Sequence, residues 1–274
     1  MLRFRVVGSG SSGNATLIES GTDRVLLDAG LGPRDLAERL LSAGVDPASI
    51  AAIILSHEHS DHSRGAASFS RKWGVRLCGT RGTYAAAGLG AEEIAGYDVL
   101  EPGVTRVFGS LSVLGIPVPH DAAGPVAFVV SAGRARLGHA TDLGHVSATL
   151  VDAFVGCGAV LMESNYDPGM LRDGPYPWSL KERILSPVGH LANGDVARYL
   201  AKGLPPSCSD FVLAHLSQKN NHPEVARMTA ERALQASGRS VAVQIAGTDG
   251  TGWIDVAEDR EPEPAGHQLR LFAR

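Results

Sequence analysis

The chain has 274 residues, 44% hydrophobic and 20% charged, with a formal net charge of −4. This composition gives enough apolar material for one large core, and it excludes a protein that gathers nucleic acid through a bulk positive field. No apolar run approaches the ~18 residues that a bilayer span needs, so no membrane is expected as a partner. Residues 1–7 alternate like a strand and lack the longer apolar core of a signal peptide. Cys78, Cys157 and Cys208 are odd in number and scattered, which gives no disulfide framework and suits a reducing compartment. The expected location is the cytoplasm.

In chain order, the Gly- and Ser-rich turn at 8–14 separates a first strand from a second at 15–20. Residues 21–23 turn the chain into a third strand at 24–28. A helix is predicted from about Arg34, with Pro33 as its start signal and Gly44 as its stop. The apolar run 51–55 leads into Ser56-His57-Glu58-His59-Ser60-Asp61-His62, and a helix over 63–73 leaves that cluster. Further helices are predicted at 147–154, 194–202 and 223–236, the last with Pro223 in its first turn and Gly238 just beyond. Residues 258–266 read as a loose linker to a terminal strand near 269–272. We therefore expect one domain over 1–274, with 258–274 as a loose C-terminal tail.

The cluster at 56–62 carries the chemistry. Histidine and carboxylate are preferred ligands of zinc, manganese and iron(II). His57 and His59 are two apart, so in extended backbone they share a face. Asp61 and His62 are neighbours, which suits a turn that aims them at a second ion. Several apolar runs then end in a potential ligand: His57, His120-Asp121, Asp142, Glu163 and His215. Polar groups at strand ends are held by a rigid scaffold, and five together beside a histidine cluster favour one shared site.

The stretches GSGSSGNA (8–15), LLDAG (26–30), SHEHSDH (56–62), HDAAGPVAF (120–128) and ATDLG (140–144) resemble the metallo-β-lactamase superfamily. MESNYDPGML (162–171), GPYPWSLKERILSPVGHLAN (174–193) and LAHLSQKNN (213–221) extend the likeness to its WalJ/YycJ-type branch. The resemblance implies an α/β fold, a four-layered αββα sandwich, with two metal ions at one edge of the sheets. Carried over residue by residue, His57, His59 and His120 hold one ion, Asp61, His62 and His215 the second, and Asp142 bridges both. The nitrogen and oxygen ligands admit two divalent ions, Zn²⁺ or Mn²⁺, and also Fe²⁺. Such a pair activates water and clamps the attacking and leaving oxygens, with the free oxygen of Asp61 placed to orient the nucleophile. Asp28 is expected either to hydrogen-bond a ligand histidine or to serve as a turn aspartate. His190 matches the place where ribonuclease Z-like relatives carry a histidine near the leaving group, and a pair with Glu163 would make it a general acid. His139, His145, His222 and His267 have no matching role.

The second motif residue is His59 where flavodiiron proteins have a carboxylate, and no large insert separates Asp142 from His215. Within 172–183, Trp178, Lys181 and Arg183 combine stacking and charge in a way that suits a phosphate backbone with a stacked base; the alternative is a packed loop whose tryptophan is core. The branch is associated with DNA, so the expected function is a phosphodiesterase acting as a 5′→3′ DNA exonuclease that holds DNA through a local patch. The alternatives are a small-molecule (cyclic) phosphodiesterase and a non-catalytic metal-binding regulatory partner.

Overall fold

A computed structural model describes residues 1–90 and 92–258. Among these residues fourteen strands form two sheets of seven. In the first, β1 (Leu2–Gly8), β2 (Ala15–Ser20), β3 (Asp23–Leu27), β4 (Ala52–Ile54), β5 (Arg76–Gly79) and β6 (Tyr97–Val99) lie side by side in chain order. The second sheet contains β7 (Thr105–Phe108), β8 (Leu111–Pro117), β9 (Val126–Ala132), β10 (Ala135–Ala140), β11 (Ala159–Glu163), β12 (Asp210–Ala214) and β13 (Ala242–Ile245), again in chain order. The last described strand, β14 (Ile254–Asp255), pairs antiparallel with β1 at the outer edge of the first sheet.

Both sheets follow one plan. β1–β2–β3 pair antiparallel and β3 to β6 parallel. β8–β9–β10 pair antiparallel and β10 to β13 parallel. No repeat is visible in the sequence, because the two halves share topology and not residues.

Alternation along the strands builds the layers. Val25 and Leu27 point into a core between the sheets with Phe4, Ile54, Phe128, Leu161 and Val212. Leu26, one residue out of phase, points the other way, as a period of two requires. There it meets Leu36 and Leu40 of α1 (Pro33–Ser42) and Phe69 of a helix at Ala66–Trp73. On the far face of the second sheet, Val160, Phe211 and Leu213 pack against Leu150, Tyr199, Leu200 and Leu234 from three helices. The result is the expected αββα order. Each fully buried Leu, Ile or Phe contributes about 1.5–3 kcal/mol, so Phe128→Ala in the central layer costs about 3–5 kcal/mol.

The helix expected over 63–73 is two helices, α2 (Ser60–Ser63) and α3 (Ala66–Trp73). Gly65 separates them: its N–H donates to the carbonyl of Ala29 at 2.8 Å, and a Cβ there would lie 2.2 Å from the Leu31 carbonyl oxygen. The first of them begins inside the histidine cluster, so Asp61 and His62 are helical. A short α4 (Arg81–Ala86) follows β5, and α5 (Ala148–Ala153) is capped by Ser147, which accepts from Leu150 N–H. The segment around Trp178 is not a loop. It holds α6 (Pro168–Asp173) and α7 (Trp178–Leu185), followed by α8 (Asn193–Lys202) and α9 (Pro223–Ala236). The linker, terminal strand and loose tail expected beyond 258 lie outside the described residues. Among the described residues no helix is long and apolar enough to cross a membrane.

Candidate metal centre

Strand ends from both sheets meet at one rim of the sandwich. β3 delivers Asp28, β4 the segment Ser56–His62, β8 His120, β10 Asp142, β11 Glu163 and β12 His215. Asp28, Asp142 and His215 have φ of 62°, 59° and 53°, the non-glycine residues with positive φ among those described. Left-handed backbone costs an L-residue about 1–2 kcal/mol, and such strain persists where the surroundings over-determine it, often at functional sites.

Among the described residues four overlapping groups of potential ligand atoms converge there, one of them joining Asp142, Glu163, His190 and His215, and two of them matching the expected sets. In the first, His57, His59 and His120 come together, with His59 Nδ1 and His120 Nε2 3.3 Å apart. His57 Nε2 is buried without a hydrogen-bond partner, a costly condition for a polar atom unless something else engages it. In the second, Asp61 Oδ2 lies 3.2 Å from His215 Nε2 and 3.5 Å from His62 Nε2. Asp142 stands between them, its Oδ2 3.0 Å from His62 Nε2 and its Oδ1 3.8 Å from His120 Nε2. The orphaned nitrogen and the mixed imidazole–carboxylate set fit divalent metal binding.

Outer contacts fix the rings. Of the two roles expected for Asp28, its contacts are those of the brace and not of a turn aspartate: Oδ2 takes the Nδ1–H of His62 at 2.7 Å, and Oδ1 accepts the N–H of Ser56, remote in the chain. Ser56 Oγ lies 3.0 Å from His57 Nδ1. His120 Nδ1 donates to the Gly189 carbonyl at 3.1 Å, and His215 Nδ1 to Glu163 Oε1 at 3.0 Å. Each bond at Nδ1 leaves Nε2 for an ion, the arrangement metal-binding histidines use. Sequence reasoning missed Ser56, Gly189 and Asn14, whose side-chain amide lies 3.1 Å from His62 Nε2. The run GSGSSGN reads as a turn and as part of the family resemblance, with no role for Asn14.

The charges are unevenly shared. Burial lowers the pKa of His57 and His120, reinforced by neighbouring imidazoles. Burial acts the same way on His62 and His215, but carboxylates win: Asp142 and Asp28 raise His62, and Asp142, Asp61 and Glu163 push His215 up to about 10. An ion held by the second group would have to displace protons there, so its affinity would rise with pH.

Glu163 is fully buried and serves two rings at once. Its Oε1 lies 2.6 Å from His190 Nδ1 as well as 3.0 Å from His215 Nδ1. Its Oε2 accepts from the N–H groups of Leu143 and Leu191 at 3.2 and 3.3 Å. Burial opposes a charge on both partners, yet the carboxylate is lowered by His190 and the imidazole raised by Glu163.

A cleft of about 360 Å³ opens over the centre, lined by Ser11, Asp61, Tyr176, Leu180, Arg183 and His190 among others. Of the three residues expected to contact substrate, only Arg183 lines it. Lys181 is buried, and its ammonium donates to the carbonyls of Arg172 and Gly174 at 2.7 and 2.8 Å, closing the turn between α6 and α7. It is not available to a phosphate. Trp178 is 61% exposed at the outer end of α7, with Nε1 donating to Glu182, so it is neither core nor part of the cleft wall. Tyr176 is the aromatic residue that lines the cleft. A second groove of about 400 Å³, lined by Arg81, Tyr84 and Tyr97, contains none of these metal-ligating groups. The other histidines keep apart: buried His139 contacts Thr16, His145 bonds the Pro187 carbonyl, and His222 caps α9. His267 lies outside the described residues.

Two seven-stranded sheets between helix layers, with a histidine–carboxylate centre at one rim, define the metallo-hydrolase class of αββα sandwiches. The model of the metallo-beta-lactamase superfamily matches residues 8–203. Exodeoxyribonuclease YycJ of Bacillus anthracis is 34% identical over 252 residues, 90% of this chain and 96% of that protein. Exodeoxyribonuclease WalJ of Streptococcus pneumoniae is 33% identical over 245 residues, 88% of this chain and 91% of its own. Among solved structures, the metallo-beta-lactamase fold protein YhfI from Bacillus subtilis shares the fold with a TM-score of 0.73 at 16% identity, covering 93% of this chain and 100% of that one. The chain belongs to the metallo-β-lactamase superfamily, in its WalJ/YycJ-type branch, and is a metal-dependent hydrolase.

Proposed function

We propose that this protein hydrolyses phosphodiesters and acts on DNA as a 5′→3′ exonuclease in the cytoplasm. The observation that carries the chemistry is the Glu163–His190 pair, 2.6 Å between Oε1 and Nδ1, set at the cleft beside the two ligand groups. The names of the two relatives supply the nucleic acid. His57, His59 and His120 would hold one divalent ion, and Asp61, His62 and His215 the other, with Asp142 shared. Bound there, Zn²⁺ or Mn²⁺, or alternatively Fe²⁺, would acidify water and neutralise charge on a phosphodiester.

The chain's own residues do the rest. Asp61 faces the cleft and orients the attacking water through its carboxylate. Glu163 holds the Nδ1–H of His190, which leaves Nε2 to carry the proton that the departing alkoxide needs. Arg183 and Tyr176 meet the nucleotide, and a net charge of −4 makes that local contact necessary. The loss of Lys181 as a surface cation favours, as second reading, a small-molecule phosphodiesterase, since the remaining cleft cation is Arg183 among its described lining residues. Metal analysis of the purified protein, then digestion of end-labelled single- and double-stranded DNA with Zn²⁺ and Mn²⁺ separately, tests the proposal. Stepwise release from the 5′ end supports it. Cleavage of short nucleotides without attack on DNA selects the small-molecule reading. Inertness towards bis-p-nitrophenyl phosphate with both ions bound selects a non-catalytic regulatory role.

A further inference from the structure

Arg183 and Asp121 meet across the cleft. Arg183 lies on α7, Asp121 directly follows His120, and both side chains line the cleft wall. The guanidinium Nε reaches Asp121 Oδ2 at 2.5 Å, while Asp121 Oδ1 lies 3.4 Å from His120 Nε2. Arg183 is 54% exposed and Asp121 29%, and a solvent-reached ion pair adds little to folding. Its backbone supports are firm by contrast. Asp121 N–H donates to the Val188 carbonyl at 3.0 Å, His190 N–H to the Ile184 carbonyl at 3.0 Å, and the Gly189 carbonyl holds His120. These bonds tie Asp121, His120 and His190 to the segment that follows α7, while the pair itself joins two solvent-reached side chains.

The charge pattern makes the pairing informative. Asp61, Asp121 and Asp142 all present carboxylates to the cleft; ions held by the first and last would offset their charge, which leaves Asp121 to repel a phosphodiester chain. Asp61 and Asp142 belong to the ligand groups. Asp121 belongs to none of them, and its counter-charge is Arg183. A guanidinium exchanges readily between carboxylate and phosphate because its fork of N–H donors matches either.

We propose that Arg183 is parked on Asp121 in the free protein and transfers to a phosphate flanking the scissile bond when a polynucleotide binds, which makes Asp121 a specificity-determining residue. This rests on the phosphodiesterase reading above. A ligand with a second phosphate draws the arginine away and binds. A ligand with only the scissile phosphate leaves it in place, and mononucleotide product gives it back.

The test is a double-mutant cycle on KM and kcat with a single-stranded oligonucleotide and with bis-p-nitrophenyl phosphate, using metal-loaded wild type, Asp121→Asn, Arg183→Ala and the double variant. Arg183→Ala should raise KM for the oligonucleotide several-fold, more than for the small diester, and lower the log–log salt slope of binding by about one unit. Asp121→Asn should lower KM for the oligonucleotide and strengthen inhibition by product, but only while Arg183 is present. Additive effects in the cycle would overturn the exchange. So would loss of bound metal in Asp121→Asn, which would make that carboxylate a ligand. Wild type with both ions bound but inactive on both substrates would bring down the phosphodiesterase reading, and the exchange with it; an active wild type with an additive cycle brings down the exchange alone.

Discussion

The two halves of the sandwich use the same strand plan and put an aspartate at the same place, yet the two aspartates do opposite jobs. Asp28 follows the third strand of the first half and Asp142 the corresponding strand of the second, both with left-handed backbone. They close on the two nitrogens of a single ring: Asp28 lies 2.7 Å from His62 Nδ1 and Asp142 3.0 Å from His62 Nε2. The Nδ1 side fixes the tautomer, and the Nε2 side faces the ligand groups. The next strand shows the reverse division. β4 leads into the histidine cluster that could hold metal, whereas β11 ends in Glu163, which contacts His190 and His215. Equivalent positions therefore set geometry, and the side chain's neighbours decide whether it binds or braces.

The largest effect should come from the shared position. Asp142→Ala is expected to lower occupancy of both ions and abolish hydrolysis, because its carboxylate faces both groups. Elemental analysis of the purified variant checks this, and two full equivalents of metal would contradict the assignment.

His190→Ala comes next. It should keep both ions but lose about 10²–10⁴-fold in rate on DNA, the usual worth of general acid catalysis. On bis-p-nitrophenyl phosphate, whose leaving group needs no proton, the loss should be much smaller. Equal losses on both substrates would reduce the Glu163–His190 contact to a brace for His215.

Asp28→Asn sharpens the contrast with Asp142 directly. Removal of a carboxylate that orients a metal-binding histidine costs about 10–100-fold in affinity or activity, and the loss should fall on the ion held by His62. Titration with a competing chelator would show one weakened site and one unchanged. Two equally weakened sites would mean that Asp28 acts through the Ser56 backbone, and thus on the whole rim.

The rim was far more legible in the sequence than the wall beside it. His57, His59, Asp61 and His62 sit within the single motif 56–62, and His120, Asp142, Glu163 and His215 each end an apolar run, so strand periodicity brought them to one edge. Asp28 showed as an acid at a strand end, without the choice between turn and brace. The segment 172–190 resisted because its signal is compositional. A lysine and a tryptophan look available to a ligand in sequence, but Lys181 is turned inward to two carbonyls and Trp178 outward to Glu182. The break at Gly65 was equally hidden, since it depends on a backbone contact with Ala29 and Leu31, remote in the chain. The duplicated topology left no trace in residue identity.

At the seam between the halves the expected effect falls on stability alone, and leaves the centre's chemistry untouched. His139 of β10 meets Thr16 of β2 at 3.1 Å between the sheets. Burial lowers its pKa to about 4, with Asp28 opposing that shift in part. The folded value thus lies below the unfolded one of about 6.5, so the fold favours the neutral ring. Above pH 6.5 both states are neutral and stability does not depend on this residue. As pH falls from about 6.5 towards 4, the unfolded chain takes up a proton that the folded one refuses, and stability declines by at most about 3 kcal/mol. Urea unfolding of chelator-treated protein across this window, compared with His139→Gln, isolates the contribution from that of the acidic groups. The gap between wild type and variant should narrow as pH drops, while both bind the same amount of metal at pH 7. A constant gap would show that the seam histidine does not titrate, and loss of metal would move it from the seam into the centre.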